Sequence, residues 1–119
     1  MIGTVLVAAI AALHGYILVM EMFLWETPRV RKAFRMSADL AALTKVMAAN
    51  QGLYNGFLAA GLVWALGLGV GGDGRAVALF FLVCVLVAGI YGAATFSRRI
   101  LGVQALPAVL AIGAVLAGV

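Results

Sequence analysis

The sequence is poor in the residue types that clustered chemistry needs. Its 119 residues include one cysteine, one histidine and four acidic side chains. A lone thiol, Cys84, excludes an intramolecular disulfide and any multi-cysteine metal site. One histidine excludes bis-histidine haem within a single chain. His14 with one thiol and a carboxylate is also a poor set for zinc, which takes about three or four protein ligands. No metal site is therefore expected. Glycosylation sequons are missing too, since neither Asn50 nor Asn55 has Ser or Thr two residues on. Charge is scarce at 10% of residues, whereas 66% are hydrophobic and the mean hydropathy is +1.20. Soluble domains run about 45–50% apolar and about 25% charged. A chain this short cannot hide so much apolar surface in its own core, so lipid must be part of its solvent.

Charge is present only in particular places. The net charge is +4, and the basic residues stand beside the ends of apolar runs. That placement is a membrane-topology signal and not a nucleic-acid patch, so no nucleic-acid partner is expected. Four apolar runs are visible, at residues 2–25, about 46–70, 76–96 and 102–119. A spanning helix needs about 20 residues, within a range of about 17–25, and all four qualify. Pro107 stands in the first two turns of the fourth, which membrane helices tolerate when neighbours satisfy the freed carbonyl. Nothing before Arg29 is basic and the first run is longer than a signal-peptide core, so a retained helix is expected there.

Short links between runs imply antiparallel neighbours. "GGDGR" at 71–75 joins the second and third runs, and "SRRI" at 97–100 joins the third and fourth. The longer first link carries its own helix signals. Thr27 is an N-cap followed by Pro28 at the first helical position, and Ser37 is a second N-cap. Val30 and Phe34 share one face, ringed by Arg31, Lys32 and Arg35, which predicts a short amphipathic helix on the membrane surface. The second spanning helix then starts near Ser37. The expected fold is all-α: one domain over residues 1–119, an antiparallel four-helix transmembrane bundle with that amphipathic helix between helices one and two.

Seven basic residues fall in the first and third links and one, Arg75, in the second. The positive-inside rule puts the first and third links in the cytoplasm and both termini outside. "GVGGDG" at 69–74 matches G-x-G-x-x-G, but a dinucleotide site needs a preceding strand. Between two membrane helices the motif is only a turn.

The polar residues then acquire depths. Glu21 lies one turn inside Trp25. Asn50, Gln51, Tyr54 and Asn55 occupy early turns of the second spanning helix, Tyr91 and Thr95 the last turns of the third, and Gln104 the start of the fourth. All are on the cytoplasmic side. His14 lies deeper, about 16 Å from Trp25 along the axis. His14 and Glu21 are seven residues apart and share a face. Groups that cannot hydrogen-bond to lipid should turn inward, with Gly52, Gly56, Gly89 and Gly92 allowing close approach. The expected result is a cytoplasm-facing polar pocket, with Glu21 as an acid/base tuned by partial burial and His14 assisting. Asn50, Gln51, Tyr54, Asn55, Tyr91, Thr95 and Gln104 would hold the polar end of a ligand. Bland alternatives stand beside these roles: a structural ion pair for Glu21, an interhelical hydrogen bond for His14, and amide glue for "NQGLYN".

Several stretches resemble a known family. "MEMFLW" followed by "TPRVRKAF", then "ANQGLYNGFLAAGL", "FFLVCVLVAGIYGAAT" and "VQALPAVLA" are similar to small bacterial membrane proteins catalogued as domain of unknown function 1304. The likeness spans nearly the whole chain, and "ANQGLYNGFLAAGL" is its most specific piece. Glu21, Trp25, Asn50, Gln51, Tyr54, Asn55, Tyr91 and Gln104 fall in the matching motifs. The resemblance implies four membrane helices and brings no activity.

With the bacterial origin that the resemblance implies, the leading expectation is an inner-membrane protein that binds a hydrophobic or amphiphilic small molecule in a cytoplasm-facing pocket, with acid–base chemistry open to it. Whether it is an enzyme, and which cofactor it would use, the residues leave open. The rivals are a proton-coupled exporter and a non-catalytic assembly subunit. The strong charge bias and the apolar outer half weigh against the exporter. Partners are the lipid bilayer and the ligand, and a homo-oligomer stays open.

Overall fold

Uninterrupted Ala, Leu, Val and Ile runs without internal breakers form helices, because every backbone group bonds within its own segment. The computed structural model describes residues 1–119 as five α-helices and no strand. They are α1 (Ile2–Phe23), α2 (Pro28–Phe34), α3 (Ala38–Leu68), α4 (Arg75–Thr95) and α5 (Leu106–Ala117). Widened π-type turns occupy Gly69–Asp73 and Leu101–Ala105.

Three helical spans are long and apolar enough to cross a membrane: Ile2–Phe23, Ala38–Asp73 and Arg75–Thr95. Only 28%, 22% and 22% of their apolar windows are buried within the protein, so most of this surface has lipid as its natural solvent. The fourth apolar run forms the shorter helix Leu101–Ala117. Pro107 has no N–H to donate to the carbonyl of Val103, and the widened turn lies just before it. Four spans of full length were expected, and three meet that length.

The chain separates into two compact units, Met1–Ala12 with Leu58–Val119, and Leu13–Phe57. In the first, side chains from α1, α3, α4 and α5 share one core that includes Val7, Leu62, Leu82, Ala108 and Ala111, all fully buried. Much of this core is alanine, which suits association in lipid: helices gain there from close van der Waals packing more than from removing water. A Cβ on Gly89 would sit 2.9 Å from the backbone nitrogen of Ala105, so α4 meets the Leu101–Ala105 turn backbone to backbone. The N-terminal amine donates to the carbonyl of Val119 at 2.6 Å, and Arg75 Nη2 to the carbonyl of Leu116 at 3.0 Å. "GVGGDG" is the turn expected of it. Gly69 adopts φ +90, a conformation that L side chains rarely take, and no strand precedes it.

In the second unit the expected signals at both helix starts are realised. The Thr27 hydroxyl accepts from Val30 N at 3.5 Å and donates to the carbonyl of Leu24 at 2.7 Å, with Pro28 at the first helical position. Ser37 Oγ accepts from Leu40 N at 3.1 Å. The end of α2 is unusual. Arg35 takes the left-handed conformation, φ 55 and ψ 47, and its N–H bonds back to the carbonyls of Arg31 and Lys32. α3 has 31 residues, about 46 Å, so its first turns outlast a hydrocarbon core of about 30 Å. α1 ends at Phe23, two residues before Trp25, which belongs to the following turn.

Candidate functional site

The site begins with two glycines one helical turn apart on α3. A Cβ on Gly52 would lie 2.7 Å from Met22 Cγ, 3.0 Å from Glu21 Cβ and 3.2 Å from the carbonyl oxygen of Leu18. A Cβ on Gly56 would lie 2.5 Å from Leu18 Cδ1. The small-xxx-small spacing therefore lets α1 seat against α3, with Leu18 and Met22 filling the space side chains would have taken. That approach carries Glu21 under the middle of α3, where it is 7% exposed. Asn55, one residue before Gly56, meets it there. Its Nδ2 donates to Glu21 Oε1 at 2.8 Å and to the carbonyl of Gln51 at 3.0 Å. Both amide hydrogens thus have acceptors, one on each helix. Seven residues before Glu21, on the same face, His14 is completely buried.

The inward face holds fewer of the expected residues than the spacing suggested. Asn50 is exposed and its Nδ2 donates to the carbonyl of Val46 at 2.8 Å, four residues back on its own helix. An amide that bonds its own backbone has no need of the interior. Gln51 is exposed as well, and Tyr54 is 60% exposed with its ring 5.9 Å from that of Phe57. Tyr91, Thr95 and Gln104 belong to the other unit. Tyr91 is 71% exposed, Thr95 is exposed and donates to the carbonyl of Tyr91 at 2.7 Å, and Gln104 is half-buried. Of the residues expected in a pocket, the structure brings together Glu21 and Asn55, with His14 buried on the Glu21 face. No three His, Cys, Asp or Glu side chains gather where they could hold a metal.

A second cluster went unforeseen. Trp25 Nε1 donates to Thr44 Oγ1 at 3.0 Å, and the hydroxyl passes its own hydrogen to the carbonyl of Leu40 at 2.7 Å. The Trp25 ring lies 5.1 Å from that of Phe34, tilted by 56°. Glu26 and Lys45 form an ion pair at 3.2 Å. Around them is an open cleft of about 280 Å³ lined by Met22, Phe23, Trp25, Glu26, Thr27 and Lys45. Glu26 stands just past α1 and Lys45 two turns into α3, and their opposite charges were the available signal, because the first link makes these segments neighbours.

The sequence also points outward, to other chains. A model of the family described as Protein of unknown function (DUF1304) matches residues 8–116. The chain belongs to that family. The match begins within α1, ends within α5, and takes in every residue of the Glu21–Asn55 site of this DUF1304 protein. No match is found among curated proteins or among solved structures. What the DUF1304 site can do must come from its chemistry. A carboxyl group offers about four lone-pair positions. One is occupied by the Asn55 amide, and Gly52 packs against the Glu21 Cβ.

Proposed function

We propose that this DUF1304 protein is a bacterial inner-membrane protein that holds the polar end of a hydrophobic or amphiphilic molecule at Glu21 and Asn55. One observation carries the proposal: a carboxyl group stands buried inside an apolar span, with a single amide on the neighbouring helix as its hydrogen-bond partner. Ionisable groups within spanning helices are costly, and those retained commonly mark ligand or ion paths. The ligand's polar end would use the lone pairs of Glu21 that Asn55 leaves free, and its apolar part would lie among lipid-facing side chains. Acid–base chemistry at Glu21, assisted by His14 from deeper in α1, is the catalytic extension of this reading.

The topology that goes with it is four antiparallel crossings with both termini outside. Two observations support it. The N-terminal amine and the Val119 carbonyl are hydrogen-bonded, so the chain ends share a side, and an odd number of crossings would separate them. The seven-to-one basic bias gives the cytoplasm the first and third links. Glu21 then faces the cytoplasmic leaflet.

The test is mass spectrometry of the protein purified in a mild detergent, wild type beside Glu21→Gln and Asn55→Leu. A small amphiphile retained by the wild type and lost from both variants supports the reading. Equal retention by all three, or a wild type that carries nothing specific, refutes it. Cysteine accessibility at both ends of the chain in intact cells checks the topology.

A further inference from the structure

The charge around α2 is concentrated, oriented and held against local penalties. Residues 26–45 carry five basic side chains and two acidic ones, Glu26 and Asp39. Glu26 is already paired with Lys45 at 3.2 Å. The remaining basic residues lie on or directly after α2. At about 100° per residue, Arg29 and Lys32 centre about 150° from the direction of Val30 and Phe34. The apolar pair anchors the helix: Val30 is 3% exposed and Phe34 packs on Trp25. Arg29, Lys32 and Arg35 are exposed. α2 is therefore clamped by one side and presents guanidinium and ammonium groups on the other. It starts five residues after Phe23, where an apolar span ends.

Two details show basic residues standing where local structure would prefer something else. Arg35 occupies the left-handed position that closes α2, a place where glycine or asparagine is the usual occupant. Arg31 has its Nε buried with no hydrogen-bond partner. Penalties of both kinds persist in native proteins where function gains from them. What these two positions share is positive charge beside the end of a spanning helix.

We propose that α2 and Arg35 form a docking surface for the headgroups of anionic phospholipids, recruiting them to this edge of the protein. Clusters of four or more Lys and Arg beside a membrane span are attracted to anionic lipid, and the attraction falls off within a Debye length. The occupant is chosen by charge complementarity and by the place of α2 at the membrane surface. A zwitterionic headgroup offers no net charge to answer it. This surface is separate from the Glu21 seam and needs only the membrane-protein part of the reading above.

The experiment uses the full chain reconstituted in phosphatidylcholine bilayers at low ionic strength. Spin-labelled phosphatidylglycerol and spin-labelled phosphatidylcholine are added in turn, and their relative association with the protein is read by electron paramagnetic resonance. The wild type should prefer the anionic lipid, and about 0.5 M salt should abolish most of the preference. Arg29→Gln/Lys32→Gln/Arg35→Gly should lower it by up to about fivefold per charge removed. Arg35→Gly alone separates charge from structure. It should raise thermal stability, because glycine suits φ 55, while lowering the lipid preference, and Arg35→Lys should keep the preference. Equal association of the two lipids with the wild type, or a triple variant with the full wild-type preference, overturns the proposal. A wild type that does not enter bilayers at all refutes membrane residence itself, which is a different and recognisable failure.

Discussion

Adding one methyl group at Gly52 should push α1 and α3 apart enough to weaken the Glu21–Asn55 hydrogen bond. In Gly52→Ala the new Cβ would meet Met22 Cγ at 2.7 Å, Glu21 Cβ at 3.0 Å and the Leu18 carbonyl oxygen at 3.2 Å. Met22 is unbranched and can swing away. The Leu18 carbonyl is part of the α1 ladder and the Glu21 Cβ is fixed by it, so neither can. Restoring ordinary van der Waals contact at 3.4–4 Å requires the helices to separate by about 0.4 Å or more. The Asn55–Glu21 bond, 2.8 Å at present, would lengthen to about 3.2 Å, the outer edge of the normal range. Overpacking costs about 1–3 kcal/mol, and alanine returns about 1 kcal/mol of helix propensity, so the net expectation is a loss of about 0–2 kcal/mol. Gly15→Ala on α1 is the control, since nothing lies within 4 Å of its added Cβ. It keeps only the propensity gain. Thermal unfolding in detergent should therefore rank Gly15→Ala above wild type and wild type above Gly52→Ala, separated by a few degrees per kcal/mol. A Gly52→Ala protein as stable as Gly15→Ala would mean the two helices are not in contact at this level, and the site description would fall with it.

Other substitutions test other contacts. Asn55→Leu leaves a buried carboxyl without its partner and should cost about 1–3 kcal/mol in the same unfolding assay, whereas Asn50→Leu removes only a bond to its own helix and should cost less. If both cost the same, the Asn55–Glu21 bond carries no special weight. Thr44→Val takes the acceptor from Trp25 Nε1 and should lower stability by about 0.5–1.5 kcal/mol. In a Trp64→Phe background the same change should shift the emission of Trp25, and an unchanged spectrum would argue against the bond. Lys45→Ala breaks an ion pair whose side chains are 65% and 46% exposed, and stability should change by less than about 1 kcal/mol. A larger loss would show that the pair is not solvated.

Local chemistry was legible in the sequence, and the pairing of faces was not. Thr27, Pro28 and Ser37 marked where α2 and α3 begin because capping depends on neighbours within three residues. Hydropathy located the four apolar helices but overstated the last, since an apolar run does not reveal how far a proline at position 107 disturbs the turns before it. Spacing correctly gave His14 and Glu21 a shared buried face. It also grouped Asn50 with Tyr54, and Gln51 with Asn55, but periodicity says which residues share a face and not which face turns inward. Asn50 settled its hydrogen bonding on Val46, one turn away, and stayed outside. Gly52 and Gly56 announced a close approach without naming the neighbour. Leu18 and Met22 are ordinary apolar residues in a run full of them, so nothing in their identity singled them out.

The division of the chain also bears on how it assembles during synthesis. Leu13–Phe57 is one continuous stretch, so all its contacts join residues already made by the time Phe57 is added. The other unit draws Met1–Ala12 together with a segment that ends at Val119. Gly3, whose added Cβ would meet Val115 at 3.3 Å, cannot complete its packing until that residue exists, about a hundred residues later. The helical hairpin that holds Glu21 is thus the part that can form first. The opening turns of α1 must wait in lipid until the last helix arrives.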